Sequence, residues 1–140
     1  MTSPDPFRAS LDALPRSELF EESSWILVER WEREGAGIEV VEPVLAFMEE
    51  HPDIDFGSPG PLTHCIERFH GRGYDQALLS SVQRCPTAHT VWMLNRLING
   101  ERDETVRTAQ ISILREIATS SSGNQAARSI AADFLKRLGG

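Results

Sequence analysis

The sequence predicts an all-α protein, an irregular bundle of about seven helices stacked as antiparallel hairpins in a solenoid-like manner. Three observations carry that reading. Apolar residues recur at three- and four-residue spacings, as in Leu62, Cys65, Ile66 and Phe69, instead of alternating as a half-buried strand would. Prolines and glycines fall between the periodic segments, where they start and stop helices. The connections are short, which places consecutive helices side by side and antiparallel.

In chain order, "SPDPFRASLDALP" reads as a short helix begun by Pro6 and stopped before Pro15, and residues 1–16 are expected to form a loosely docked arm. The next helix carries an apolar cluster of Trp25, Ile26, Val28 and Trp31, has Ser17 or Ser24 as its cap and ends at Gly35. Pro43 is tolerable only in a first turn, so a helix starts near Glu42, turns Val44, Leu45, Phe47 and Met48 inward and stops at Pro52. Pro61 opens the following one, which Gly71 and Gly73 end. "YDQALLSSVQR" offers Tyr74, Leu78 and Val82 to the core, and "CPTAHTVWMLNRLING" offers Val91, Leu94 and Ile98, with Pro86 in its first turn and Gly100 as its stop. Val106, Ile113, Leu114 and Ile117 mark the seventh segment; Asn124 caps the last, whose stripe is Ile130, Phe134, Leu135 and Leu138. The expected hairpins pair residues 42–51 with 61–70, 74–84 with 87–99, and 104–119 with 124–138. No consensus repeat letters accompany them.

At 140 residues the chain is expected to be a single domain, residues 1–140, with a core large enough to need no staple. Hydrophobic residues make up 40% and charged residues 25%, the usual proportions of a folded soluble protein. Twenty-one acidic against 14 basic residues leave a formal charge of −7, which repels phosphate backbones and argues against nucleic acid as a partner. "MTSPDPFRAS" has neither the basic nor the apolar region of a signal peptide, and no apolar run is long enough for a membrane span, so a cytoplasmic protein is expected. In that compartment Cys65 and Cys85 are expected as free thiols.

Four histidines (His51, His64, His70, His89) and the two cysteines raise the question of metal or thiol chemistry. Their spacing lacks the paired-ligand patterns of zinc sites, and His64 and Cys65, adjacent on a helix, point about 100° apart. Cys65 on the stripe with Leu62, Ile66 and Phe69 reads as a core residue. No nucleophile elbow, phosphate loop or dinucleotide fingerprint occurs, so no catalytic, cofactor-binding or metal residue is assigned and no cofactor is expected. In the most apolar helix, Asn95, Arg96 and Asn99 are either satisfied internally or form a ligand face.

The acidic residues are more suggestive. Glu49, Glu50, Asp53 and Asp55 sit at a helix end and in the proline- and glycine-rich corner "HPDIDFGSPGPLTHC" that follows. Such charge is commonly a solvated face, but carboxylates on a stiff corner also steer a basic partner into place, and these four are the candidate partner-binding residues.

Two stretches, "DFGSPGPLTHCIE" (55–67) and "RCPTAHTVWMLNRLIN" (84–99), resemble the small all-helical immunity proteins of bacterial polymorphic toxin systems. The resemblance spans roughly residues 38–138 and leaves the N-terminal arm outside it. It implies a cytoplasmic inhibitor that binds and blocks a cognate toxin domain with a basic surface, with no chemistry of its own. A helical-repeat adaptor for another cytoplasmic protein, and a metal-dependent enzyme using the histidines and cysteines, are the alternatives.

Overall fold

The computed structural model describes residues 5–121 and 123–139. Among these the chain is all-helical, with eight α-helices where about seven were expected. They are α1 (Pro6–Asp12), α2 (Phe20–Arg33), α3 (Val41–Glu50), α4 (Gly60–Glu67), α5 (Tyr74–Arg84), α6 (Ala88–Gly100), α7 (Glu104–Thr119) and α8 (Gln125–Arg137), and a 3₁₀ turn, Ile38–Val40, leads into α3. The chain divides into two compact units, residues 1–75 and 76–140.

In the first unit α1 packs on α3, α2 on α4, and α3 on α4. Of the expected N-terminal arm, residues 1–4 lie outside the described residues. Asp5 caps α1 by accepting from the backbone N–H groups of Phe7 and Arg8, Leu11 is fully buried, and the Phe7 ring meets Trp31 edge-on at 5.4 Å. Arg30 adds a hydrogen bond to Ser10 Oγ at 3.0 Å. An isolated helix of seven residues is unstable in water, so these contacts are what hold α1 helical.

The buried side of α2 is Phe20, Ser24, Leu27, Val28 and Trp31. Neither expected serine cap closes its N-terminus: Ser17 Oγ accepts from Leu19 N just ahead of the helix. Ser24 lies inside, its hydroxyl donating to the Phe20 carbonyl one turn back at 2.7 Å, which satisfies it without a neighbour. Trp25 and Ile26, expected in the apolar cluster, face outward instead. Val44, Leu45, Phe47 and Met48 of α3 and Leu62, Cys65 and Ile66 of α4 are buried as the periodicity requires.

In the second unit α6, α7 and α8 pack on one another, α7 and α8 as the hairpin the short connection predicts. Pro86 lies outside α6; the cap is Thr87, in a reciprocal box with Thr90 in which each side chain accepts from the other residue's backbone N–H. Asp103 and Asn124 cap α7 and α8 by accepting from Val106 N and Ala127 N. Of the expected α8 stripe only Phe134 is buried. Ala127, Ala131 and Phe134 are buried, while Ile130, Leu135 and Leu138 are only half-buried. Arg96 and Asn99 are exposed, Asn95 is half-buried, and the Arg96 guanidinium lies over the Trp92 ring at 5.1 Å.

Candidate partner-binding surface

The corner between α3 and α4 is built by residues that each do one thing. His51 leaves the helical region, and Ile54 N donates to the His51 carbonyl at 3.2 Å, turning the chain past Pro52. Asp55 Oδ1 accepts from Gly57 N at 2.9 Å. Gly57 has φ +100°, and a Cβ there would lie 2.6 Å from the Gly60 Cα, so no other residue fits without moving backbone. Pro61 then occupies the first turn of α4. Phe56 fastens the corner to the core, edge-on to both Phe20 (5.9 Å) and Phe47 (6.1 Å).

Against this corner lies a cleft of about 490 Å³ lined by Arg16, Ser17, Phe20, His51, Asp53, Ile54 and Asp55. Arg16 is fixed: its guanidinium donates to the Leu14 carbonyl at 2.7 Å and lies 5.0 Å from the centre of the Phe47 ring. The His51 ring lies against the same core residue, its centroid 4.5 Å from that of Phe47. The cleft therefore sets two carboxylates, Asp53 and Asp55, near an immobilised cation.

The four candidate carboxylates are not equivalent. Asp53 and Asp55 are exposed and line the cleft; Glu49 is half-buried on α3. Glu50 is engaged from within the chain, because Arg8 grips it with two hydrogen bonds of 2.8 Å, one to each carboxylate oxygen. The Arg8 guanidinium holds the Glu50 carboxyl below its ordinary range, and Glu50 in turn raises Arg8. Arg8 also lies 3.7 Å from Asp12, so one guanidinium serves a carboxylate on α1 and one at the end of α3. Sequence reasoning found the corner but missed Arg8 and Arg16, which reach it from far away along the chain.

The histidines and cysteines are spread over separate settings. His64 rests against Trp25, His70 Nδ1 lies 2.9 Å from Asp75 Oδ1, and His89 lies beside Trp92. Cys65 is buried and burial pushes its thiol up, away from the reactive thiolate; Cys85 is half-buried, and the two are not joined in a disulfide. Among the described residues no three His, Cys, Asp or Glu side chains are grouped to hold a metal ion, and no helix is long and apolar enough to cross a membrane.

The fold and this surface define an all-α protein with a charged, rigidly supported cleft. Compared with known proteins, the chain matches no family model, no curated protein and no solved structure.

Proposed function

We propose that this protein is an immunity-type inhibitor, which binds a cognate bacterial toxin domain in the cytoplasm and blocks it by protein–protein contact. The observation that carries the reading is the pair Asp53 and Asp55, on a corner where only glycine fits at position 57, lining a cleft beside Arg16, whose guanidinium is held by the Leu14 carbonyl and the Phe47 ring. Preorganised carboxylates accelerate encounter with a basic surface and lose little entropy on binding. A toxin that works on an anionic substrate carries such a surface, and covering it suffices for inhibition. The net formal charge of −7 acts in the same direction at long range.

The test is growth. The product of the adjacent gene is expressed in a susceptible host alone and together with this protein. The expected result is arrest alone and restored growth together; a product harmless on its own, or toxic and unrelieved, contradicts the proposal.

A further inference from the structure

The outward face of α2 belongs to none of the sites above. Leu19, Trp25 and Ile26 are three of the exposed large apolar side chains among the described residues, and Trp25 and Ile26 are 42% and 60% accessible. A tryptophan so placed, away from the core stripe of its own helix, is unusual for a surface with no partner. Its surroundings are more specific than its exposure. At the helical positions i−4, i−3 and i+4 from Trp25 stand Glu21, Glu22 and Glu29, all exposed, and Glu32 stands one turn further on. Glutamates therefore border the indole along the helix, and on the side toward α4 it meets the His64 ring at 6.2 Å.

An indole face and a carboxylate attract the same group, a cation, and together they favour one cation over the other. Lysine presents a compact, strongly hydrated charge, whereas the planar guanidinium of arginine stacks on an aromatic ring while its edge donates paired hydrogen bonds to carboxylates. The chain already sets guanidinium groups over aromatic rings internally, with Arg16 over Phe47, Arg68 and Arg72 over Phe69, and Arg96 over Trp92. We infer that the outward face of α2 is a docking surface for an arginine-bearing basic segment of another protein, with an arginine stacked on Trp25 between Glu22 and Glu29. Ile26 on α2 and Leu19, just ahead of the helix, both exposed, receive the apolar residues of the same segment. A second copy of this chain is a poorer occupant, since glutamates would face glutamates. The inference stands apart from the toxin reading, because it concerns the chemistry of the bound segment and not the activity of its owner.

The test uses two labelled nonapeptides of equal charge, nona-arginine and nona-lysine, and fluorescence anisotropy with the full chain. Wild type is expected to bind the arginine peptide at least fivefold more tightly than the lysine peptide. Trp25→Ala is expected to abolish that preference, Trp25→Phe to keep part of it, and the double change Glu22→Gln and Glu29→Gln to weaken both peptides several-fold. Equal affinity for the two peptides in wild type, or a preference that survives Trp25→Ala, overturns the inference. Sedimentation checks the remaining occupant: a wild-type dimer that Trp25→Ala converts to monomer would also overturn it. Failure of the growth experiment leaves these outcomes unaffected.

Discussion

Arg8 and Glu50 lie 42 positions apart in sequence, yet their two hydrogen bonds tie the first helix to the end of α3. Because the Glu50 carboxyl is held low in the fold, the stabilisation is fully present above the ordinary glutamate pKa of about 4.3 and is lost as pH falls through the depressed value. Glu50 is partly solvated, with 56% of its side chain accessible, so screening limits the pair to about 0.5–1 kcal/mol. Urea midpoints of wild type and Glu50→Gln should therefore differ at pH 7 and converge as the pH falls below the depressed Glu50 value. A second residue-scale expectation concerns the thiols. Under native conditions at pH 7 an aromatic disulfide reagent should leave Cys65 unmodified until the protein is unfolded, since the group is buried and burial disfavours its thiolate. Neither the clamp nor the depth of Cys65 is a property of spacing alone. The stripe Leu62–Cys65–Ile66–Phe69 told which way the cysteine faces, but an arginine at position 8 carries no local sign of its partner at position 50.

At the scale of single helices, most boundaries were legible because the chain announces them chemically. Asp103 and Asn124 precede α7 and α8 as side-chain caps, and α7 occupies the expected residues 104–119. Replacing either cap by Ala should lower stability by about 1 kcal/mol, read from urea unfolding at constant m. The corner before α4 should be far less tolerant. Gly57→Ala forces a Cβ into backbone at a φ that other residues rarely adopt, and a loss of about 1–3 kcal/mol is expected, more than at Gly35, where φ is +76° but the space is open. What misled the periodicity reading was equating burial with hydrophobicity. In α8 the buried positions include Ala127 and Ala131, while the larger Ile130 and Leu135 are only half-buried. In α2 a serine that satisfies its own hydroxyl took a core position, and Trp25 and Ile26 were left outside.

For the molecule as a whole, an all-α architecture followed from three- and four-residue periodicity and from proline and glycine punctuation, which are repeated along the chain and so withstand local errors. The cleft was not legible in the same way. It needs Arg16, Phe20 and residues 51–55 to meet, and only the packing of α1 to α4 brings them together. Phe47 is central to that packing, fully buried against Phe20, Phe56, His51 and Arg16. Phe47→Ala should accordingly cost about 3–5 kcal/mol in chemical denaturation. On the proposed function, Asp53 and Asp55 on this scaffold recruit a basic protein partner. That recruitment is tested most directly by stopped-flow association of the purified adjacent-gene product with wild type and with the Asp53→Lys, Asp55→Lys double variant, at low and high salt. The account predicts an association rate at least tenfold lower for the variant at low salt, and a difference that shrinks as salt screens the charges. Equal rates at low salt would contradict it.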